Sequence, residues 1–326
     1  MTRRYENGVA IIGAGVAGLA CARRLREAGE RVSVFDKGRG PGGRMSSRRT
    51  EVGRFNHGAQ FFTARSDGFR DALADWLGAG VAAEWRARFV TIANGAVTED
   101  TPAEPRFVGA PSMNAIIAHE GKAAGARFGV RVAVPVRDDE GWRLSSEEKE
   151  DLGRFDAVVI ATPAEQAVDL LAAAPALAAE ARAARSAPCW ALMLGFDAPL
   201  ETPFDAARVV DGPIAWIARE ASKPGREAGE RLVVHARADW SAAHLEADPN
   251  DIAAHLIGQV RDLLGAPEPV FASAHRWWFA QVVAGAGEPF AWDAERRIGA
   301  CGDWRLGARV EAAWTSGDAL GRALSG

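Results

Sequence analysis

The stretch that most constrains the fold is a glycine-rich turn between an apolar strand and a helix near the start of the chain. Residues 9–12 are apolar and rich in β-branched side chains, which predicts a buried strand. The turn Gly13-Ala14-Gly15-Val16-Ala17-Gly18 follows directly, and a helical pattern then runs over residues 19–29. A second apolar strand is predicted over residues 31–35 and ends on Asp36.

Each part of this unit has a physical role in binding a dinucleotide. Gly13 allows the tight turn, Gly15 lets the backbone approach a pyrophosphate, and Gly18 lets the helix pack closely on the strand. The N-terminus of the helix supplies free N–H donors and a partial positive charge. Asp36 lies about 20 residues beyond the glycines, where a carboxylate can bind ribose hydroxyls. The unit therefore predicts a dinucleotide site, but it does not by itself choose between NAD and FAD.

The residues after Asp36 resemble a known extension of this motif. Residues 37–45, Lys-Gly-Arg-Gly-Pro-Gly-Gly-Arg-Met, place a second glycine cluster and an arginine directly after the acid. This segment resembles the extended dinucleotide motif of the glutathione reductase-like flavoproteins, especially the amine oxidase superfamily. In that superfamily a Gly-Gly and arginine segment runs along the pyrophosphate of FAD. The resemblance implies FAD, and we expect it to be bound non-covalently because the sequence places no obvious tethering cysteine or histidine beside the flavin ring.

Within that superfamily the chain most resembles the renalase-like flavoproteins, and the motifs that carry the resemblance are spread over most of the sequence. They are Gly-x-x-x-Met-Asn at 109–114, Trp-Ile-Ala-Arg at 216–219, Ser-Lys-Pro-Gly-Arg at 222–226 and His-Arg-Trp at 275–277. The family also implies that segment 56–63 passes beside the flavin ring, where Gln60 could contact the ring edge. It implies that strand 131–134, predicted to lie beside residues 142–144, presents its backbone to the adenine.

The C-terminal part of the chain contains a second glycine and acid pair. Residues 298–303 predict a strand that ends in Gly302-Asp303, followed by a loop over 304–310 and a helix over 311–324. In glutathione reductase-like flavoproteins such a pair binds the ribityl chain, and the helix directs its N-terminus at the pyrimidine edge of the ring. A positive helix end stabilises the anion that forms on reduced flavin. Two glycine and acid sites at opposite ends of one chain favour a long dinucleotide.

The rest of the pattern predicts an α/β fold, in which a Rossmann-like FAD-binding domain of the glutathione reductase/amine oxidase type carries an inserted mixed-sheet substrate domain. The predicted FAD-binding domain is discontinuous, over 1–65, 106–165 and 285–326, and the substrate domain covers 66–105 and 166–284. Residues 162–165, Thr-Pro-Ala-Glu, read as a capping box at the start of a helix.

Bulk composition excludes several classes of protein. The formal net charge of −4 over 326 residues gives no basic footprint for nucleic acid. No run approaches the length of a membrane span. Three widely spaced cysteines show neither a disulfide framework nor metal-ligand spacing, so we expect no metal site and a reducing, cytoplasmic setting.

The predicted chemistry is flavin-dependent oxidation of a small molecule. Renalase-like proteins oxidise misreduced dihydronicotinamide dinucleotides, the 2- and 6-dihydro isomers of NAD(P)H, and dioxygen reoxidises the flavin with release of hydrogen peroxide. A hydride on an electron-rich ring needs no base, which suits a chain whose substrate domain offers only Lys223, in a Pro-Gly loop that argues against burial. Two alternatives stay open: an oxidase or dehydrogenase of amines or another small hydride donor, and a flavin-binding protein without turnover.

These arguments assign two sets of residues. The predicted catalytic set places the substrate against aromatic, basic and polar side chains: Gln60, Trp216, Arg219, His235 and Trp278. Trp190, Trp277, His275, Arg226 and Arg276 are further candidates for the walls of the site and for the substrate carboxamide and phosphates, and strand alternation allows only one of Trp277 and Trp278 to face the flavin. The predicted FAD contacts are Gly13, Gly15, Val16, Ala17, Gly18, Asp36, Lys37, Gly43, Arg44, Met45, His57, Gly58, Ala59, Gln60, Val132, Thr162, Gly302, Asp303, Val310, Glu311 and Ala312.

Overall fold

The structure is a computed structural model that describes residues 4–326. Its strands are β1 (Val9–Ile12), β2 (Val32–Asp36), β3 (Arg48–Thr50), β4 (Gly53–Phe55), β5 (Ala82–Glu84), β6 (Phe89–Ala93), β7 (Ala96–Asp100), β8 (Phe107–Gly109), β9 (Arg127–Phe128), β10 (Val136–Asp138), β11 (Gly141–Ser145), β12 (Asp151–Phe155), β13 (Ala157–Ile160), β14 (Arg185–Phe196), β15 (Ala206–Val209), β16 (Ile214–Arg219), β17 (Glu230–Ala236), β18 (Phe271–Ala284), β19 (Ala291–Asp293) and β20 (Ile298–Ala300). Its helices are α1 (Val16–Glu27), α2 (Asp67–Gly78), α3 (Ala115–Ala124), α4 (Ala164–Leu170), α5 (Pro175–Ala183), α6 (Ala238–Ala243), α7 (Pro249–Leu264), α8 (Asp303–Leu306) and α9 (Val310–Ser325), with short 3₁₀ turns at Gly43–Met45 and Glu220–Ser222.

The first sheet has six strands in the order β19-β20-β13-β1-β2-β9. Its central strands run parallel, and β19 adds an antiparallel edge. Every residue of β1 and β13 is buried, as expected for parallel strands covered on both faces. The carboxyl ends of β1, β13 and β20 therefore meet at one edge, where the two predicted glycine turns also lie.

Two helices cover this sheet in very close contact. Helices α1 and α9 pack against each other because Gly317 has no side chain: a Cβ atom built there would lie 1.9 Å from the carbonyl oxygen of Ala17. Glycine at such a crossing lets the two backbones approach beyond what any side chain allows. The contact joins the first and last helices of the chain, so both helix N-termini are held at the same end of the sheet.

The second sheet has seven strands in the order β18-β14-β17-β16-β15-β6-β7. All its pairings are antiparallel except that of β15 with β6. Helix α7 packs on one face with Ile252, Leu256 and Val260 buried, the period-3.6 pattern that the sequence predicts, and Gly265 ends the helix in the left-handed conformation. This sheet gathers the tryptophan- and histidine-containing strands of the second half of the chain.

One sequence prediction about strands is wrong. Residues 131–134 do not form a strand beside 142–144; only Val132 makes a single bridge, to Ser146, while β11 pairs with β10 and β12. Proline follows at position 135, and its missing N–H prevents the run from continuing as a ladder. The loop over 304–310 is also partly helical, since α8 begins at Asp303.

The predicted division into two domains stays a prediction. The two large sheets support it, whereas helix α2, assigned to the second unit, packs on α9 through the rings of Phe69 and Trp314, 5.4 Å apart. Over residues 4–326, no helix is both long and apolar enough to cross a bilayer.

Candidate functional site

A cavity of about 640 Å³ lies where the edge of the first sheet meets the second sheet. Its lining includes most of the residues predicted from sequence to hold the cofactor: Gly15, Val16, Ala17, Arg44, Met45, His57, Gly58, Ala59, Gln60, Thr162, Gly302, Asp303, Val310 and Glu311. The predicted substrate residues Trp216 and His235 also line it. Segments that are distant in sequence therefore converge on one cavity.

The turn before α1 is shaped to admit a ligand at one position and to exclude side chains at the others. A Cβ atom on Gly15 would meet nothing within 4 Å, whereas one on Gly13 would lie 2.5 Å from the carbonyl oxygen of Ala161. One on Gly18 would lie 2.0 Å from the carbonyl oxygen of Gly13. Gly13 and Gly18 therefore serve packing and lie outside the cavity lining, and Gly15 opens on it at a helix N-terminus with no side-chain cap.

Asp36 closes the same turn. Its Oδ2 accepts a hydrogen bond from the backbone N–H of Ala14 at 2.8 Å, and its Oδ1 accepts one from Gly38 at 2.7 Å. The backbone N–H groups of Gly129 and Val130 donate to the carbonyls of Gly38 and Asp36, which brings the segment before Val132 to this place. Asp36, Lys37, Gly43, Val132 and Ala312 do not line the cavity; their predicted contacts with FAD stay predictions.

Arg44 and Asp303 join the two glycine-rich cofactor segments directly. Arg44 Nη1 donates to Asp303 Oδ2 at 2.7 Å, and Nη2 donates to Oδ1. The Asp303 carboxylate is buried and Arg44 is half-buried, so this two-bond ion pair is well shielded from solvent. It fixes the second glycine cluster against the carboxyl edge of the first sheet.

Glu311 lies in the first turn of α9, but its carboxylate binds another helix. Oε1 accepts hydrogen bonds from the N–H of Ser66 at 2.7 Å, from Ser66 Oγ at 2.8 Å and from the N–H of Arg65 at 3.1 Å. Burial opposes ionisation, but the hydrogen bonds from Ser66 and Arg65 outweigh it and hold the pKa of Glu311 below its usual range. This contact positions the N-terminus of α9, which lacks a side-chain cap, at the cavity.

The capping box predicted for residues 162–165 does not form. Helix α4 begins at Ala164 without a side-chain cap, and Glu165 instead accepts hydrogen bonds from the backbone N–H and hydroxyl of Ser186. The hydroxyl of Thr162 is therefore left buried without a partner among residues 4–326, on the wall of the cavity. Glu165 therefore forms a long-range contact with Ser186 on β14 in place of the predicted local cap.

The cavity fits a flavin dinucleotide. Four buried polar atoms on its wall have no partner within the described chain: Thr162 Oγ1, His57 Nδ1, Trp216 Nε1 and Glu311 Oε2. Buried polar groups normally have hydrogen-bond partners, so this concentration indicates a ligand. Two helix N-termini point at the same space, and Gly15 leaves room for a backbone contact. No group of three or more histidine, cysteine or acidic side chains within residues 4–326 could hold a metal ion.

The side of the cavity formed by the second sheet is aromatic. The Trp277 ring stacks on His57 with centroids 5.1 Å apart, and His275 meets both rings edge-on at 4.6 and 4.8 Å. His235 Nε2 lies 3.1 Å from the carbonyl oxygen of His57, and Trp277 Nε1 donates to the same oxygen at 3.0 Å. A carbonyl only accepts, so His235 carries its proton on Nε2.

These histidines are neutral at neutral pH. Burial lowers the pKa of His57 to about 3 and that of His235 to about 4, and it lowers the pKa of His275 to about 4. Among residues 4–326, the carboxylates on the cavity wall are Asp303 and Glu311, and both belong to the cofactor side. The half of the cavity formed by the second sheet therefore carries no ionised acid among the described residues.

Lys223 is placed differently from the expectation. Its side chain is fully buried, and Nζ donates to Gln60 Oε1 at 3.0 Å and to Glu220 Oε1 at 2.5 Å. Burial lowers the pKa of Lys223, although the neighbouring Glu220 opposes this. A Pro-Gly loop favours exposure locally, but here the loop folds inward because Glu220 supplies a buried counter-charge.

Gln60 lines the cavity as predicted, but its amide has little left to offer a ligand. Nε2 donates to the carbonyl oxygens of Asn56 at 2.5 Å and Gly58 at 2.9 Å, and Oε1 accepts from Lys223. Both N–H donors are therefore used within the protein. Gln60 positions the segment around His57, and one lone pair of Oε1 stays available.

Two of the predicted catalytic residues lie elsewhere. Arg219 forms an ion pair with Glu230 and also donates to Thr202, away from the cavity lining. Trp278 is 43% exposed and stacks under Arg276, while its neighbour Trp277 lines the cavity, since successive side chains of a strand face opposite sides. The prediction chose the wrong member of the Trp277–Trp278 pair.

The other candidates for the substrate are corrected in the same way. Trp190 is fully buried in the core of the second sheet, Arg226 donates to the carbonyl oxygens of Gly109 and Pro224, and Arg276 donates to that of Leu245. Sequence reasoning gave Trp277 only as a further candidate for the wall, and it missed the role of Glu220. Side chains alternate between the two faces of β18, but the sequence does not say which face meets the cavity. It therefore could not choose Trp277 over Trp278.

Two parts of the chain match known protein families. Residues 11–76 match the family described as NAD(P)-binding Rossmann-like domain, and residues 113–317 match the family described as flavin containing amine oxidoreductase. The second match spans more than half of the chain and includes β14, β16, β17, β18 and the first half of α9.

Several solved structures share the fold over nearly the whole chain. A candidate protoporphyrinogen oxidase from Exiguobacterium sp. 255-15 superposes with a TM-score of 0.77 at 13% identity, covering 98% of this chain and 99% of its own. Cyclohexylamine oxidase from Brevibacterium oxydans IH-35A gives 0.75 at 13% identity, covering 98% of each chain. A double mutant of putrescine oxidase gives 0.72 at 14% identity, covering 97% and 98%. At these identities the likeness concerns the fold.

Proposed function

Because this chain belongs to the family of flavin-containing amine oxidoreductases, we propose that it is an FAD-dependent oxidase of misreduced dihydronicotinamide dinucleotides, the 2- and 6-dihydro isomers of NAD(P)H. The proposed acceptor of the electrons is dioxygen, with release of hydrogen peroxide. The flavin, when bound, supplies the chemistry by accepting a hydride, and the protein binds and orients the substrate.

The observation that carries this proposal is the absence of an ionised acid on the substrate half of the cavity within residues 4–326. The second sheet contributes neutral side chains: burial lowers the pKa of His235 to about 4, and the others are Pro188, Cys189, Ala215, Trp216, Ala236, Trp277, Ala280 and Gln281. An ammonium substrate would lose its hydration there without gaining a counter-charge. A neutral dihydronicotinamide ring loses little, and it gains stacking area against indole rings.

The hydrogen-bonding groups support the same substrate. His235 uses its Nε2 proton on the carbonyl of His57, so its other ring nitrogen, Nδ1, is an acceptor. Trp216 Nε1 is a buried donor without a partner in the described chain. An acceptor and a donor on one wall suit a primary carboxamide, which offers both N–H and C=O. A hydride donor of this kind requires no proton removal, and within residues 4–326 this half of the cavity offers no carboxylate as a base.

Amine oxidation is the second candidate, and one observation favours it. Lys223 is buried and lies one side chain from the cavity, through Gln60. The solved structures with the same fold include oxidases named for cyclohexylamine and putrescine. Under this alternative the neutral cavity would select an uncharged amine.

Rapid mixing of the oxidised holoenzyme with candidate donors tests the proposal. The donors are the 2-, 4- and 6-dihydro isomers of NAD(P)H and a panel of primary and secondary amines, and the visible flavin absorbance is the signal. We expect the 2- and 6-dihydro isomers to bleach the flavin absorbance after rapid mixing. When oxygen is present, we expect one hydrogen peroxide to form for each substrate molecule consumed.

Two other outcomes would contradict the proposal. Bleaching by amines alone would replace the proposal with amine oxidation. A flavin that no donor bleaches, but that dithionite reduces normally, would indicate a flavin-binding protein without turnover of these substrates.

A further inference from the structure

A group of three buried charged side chains lies beneath the cavity: Glu220, Lys223 and Arg226. We propose that this buried charge cluster raises the reduction potential of the bound flavin. The inference depends on flavin binding and not on which substrate the enzyme oxidises.

The cluster is shielded from solvent on every side. The exposed fractions of the side chains are 0% for Glu220, 0% for Lys223 and 1% for Arg226. Lys223 Nζ lies 2.5 Å from Glu220 Oε1, Arg226 Nε lies 3.8 Å from Glu220 Oε2, and the ring of Trp85 covers the lysine with its centroid 5.3 Å from Nζ. Water and salt therefore screen these charges little.

The cluster carries a net charge of one positive unit. Glu220 Oε2 accepts hydrogen bonds from Asn56 Nδ2 at 2.6 Å and from the Asn56 backbone N–H at 3.3 Å, in addition to its contacts with the two cations. Both oxygens of Glu220 face only hydrogen-bond donors and cations, and this carboxylate beside Nζ opposes the burial that lowers the pKa of Lys223. Two cations and one anion leave a surplus cation.

Gln60 connects this surplus charge to the cavity. Its Oε1 accepts from Lys223 at 3.0 Å, and its Nε2 end points to the carbonyl of Gly58 at 2.9 Å, on the cavity wall. Gln60 lines the cavity, so the lysine lies one side chain away from a ligand bound there.

A flavin gains negative charge when it is reduced. A fixed positive potential from a buried, weakly screened source stabilises the reduced state relative to the oxidised one. The ion pair of Arg44 with Asp303 in the same cavity cancels its own charge and cannot supply this effect. The cluster therefore shifts the equilibrium towards reduced flavin, so the potential rises.

Spectroelectrochemical titration of the holoenzyme, without substrate, tests the proposal through the sign of the shift. Lys223→Met removes a cation and should lower the flavin potential, whereas Glu220→Gln removes the anion and should raise it. We expect on the order of a tenfold change in the reduction equilibrium in each case, about 30 mV for a two-electron couple. The double variant K223M/E220Q keeps one surplus cation, Arg226, and should return close to the wild-type potential.

Glu230→Gln is the matched control, because it removes an equally buried carboxylate from an ion pair with Arg219 that lies outside the cavity. Its potential should match that of the wild type. Shifts of the same sign in K223M and E220Q, or no shift in either, would overturn the proposal.

A single variant that leaves an unpaired buried charge can fail to fold. In that case the wild type is compared with Lys223→Met and Arg226→Met, each of which keeps the remaining cation beside Glu220. Both variants should have a lower flavin potential than the wild type, and an unchanged potential in both would overturn the proposal equally well.

Discussion

Arg44 and Asp303 are 259 residues apart in sequence, yet they form a buried two-bond ion pair on the wall of the cavity. Arg44 belongs to the glycine cluster after β2, and Asp303 follows the last strand of the first sheet. The pair therefore ties together the two segments that the sequence marks, independently, as cofactor contacts. A single carboxylate therefore contacts both segments.

Replacing Asp303 with asparagine should weaken flavin binding. An amide cannot accept two charge-assisted hydrogen bonds from the guanidinium of Arg44, and each such bond is worth about 1.5–3 kcal/mol. We expect the dissociation constant of FAD to rise roughly tenfold to a hundredfold, measured by flavin fluorescence on dilution. Asp293→Asn is the control, since Asp293 pairs with Arg296 at the edge of the same sheet, outside the cavity lining. An unchanged dissociation constant for Asp303→Asn would contradict this role.

Gly15→Val should give a folded protein that does not retain flavin. A Cβ atom at Gly15 meets no protein atom within 4 Å and the backbone φ of −76° suits any residue, so we expect the fold to tolerate a side chain there. The added methyl groups enter the space that the pyrophosphate requires. The visible spectrum and the circular dichroism spectrum of the purified variant test both halves of the prediction. A yellow Gly15→Val protein would place the pyrophosphate elsewhere.

Gly13→Ala provides the contrast to that variant. Its Cβ would lie 2.5 Å from the carbonyl oxygen of Ala161, at a φ of +113° that L residues rarely adopt. We expect this smaller substitution to lower the thermal midpoint of the apoprotein, which Gly15→Val should leave nearly unchanged.

The sequence predicts well what is decided by local interactions. The β1–turn–α1–β2 unit, α7 with Gly265 and the strand before Gly302 follow from glycine placement and hydrophobic period, which act over a few residues. The family resemblance adds which of these segments should meet, and most of them do line one cavity. The fold class and the type of cofactor could therefore be predicted from the sequence.

Long-range contacts decide what the sequence left open or predicted wrongly. Lys223 is buried because Gln60, from a segment 163 residues earlier, accepts a hydrogen bond from its ammonium group, beside the counter-charge of Glu220. Arg219 turns away because Glu230 on the neighbouring strand binds it. The choice between Trp277 and Trp278 depends on which face of β18 meets the first sheet. The alternation of side chains shows that the two tryptophans lie on opposite faces of the strand, but not which of these faces meets the cavity.

Gly317→Ala should destabilise the protein without touching the cavity. Its Cβ would lie 1.9 Å from the carbonyl oxygen of Ala17, so α1 and α9 must separate. Overpacking of this kind costs about 1–3 kcal/mol or more, measured as the free energy of unfolding in urea. Gly258→Ala, in the middle of α7 with open space around the position, is the matched control. It should stabilise the protein by about 0.5–1 kcal/mol, and equal effects of the two substitutions would contradict the packing argument.

Stability should fall steeply in mild acid because the folded protein holds His57 and His235 neutral. Burial lowers their pKa values to about 3 and about 4, whereas the unfolded chain protonates near pH 6.5. The unfolded state therefore binds more protons below about pH 6.5, and each histidine removes about 1.4 kcal/mol of stability per pH unit until its folded pKa is reached. Urea titrations between about pH 7 and pH 4 measure this slope.

His235→Gln is the variant that isolates one of these contributions. It should make the dependence of unfolding free energy on pH shallower by about one proton between about pH 6 and pH 4. His119→Gln is the control, because His119 is exposed and its replacement should leave the slope unchanged. An identical slope in the wild type and His235→Gln would show that His235 is protonated in the folded protein as readily as in the unfolded chain.

Trp277 and Trp278 offer a test of the proposed substrate side with two neighbouring residues of the same type. Trp277 lines the cavity and stacks on His57, whereas Trp278 is 43% exposed on the opposite face of β18. Loss of an aromatic wall removes burial and stacking worth about 1–3 kcal/mol. Trp277→Ala should therefore lower kcat/KM for the 2- and 6-dihydro isomers roughly tenfold or more, and Trp278→Ala should not. Steady-state kinetics on holoenzymes matched for flavin content give the comparison. Equal losses in both variants would mean that the substrate ring binds against another wall, and that Trp277 only supports His57.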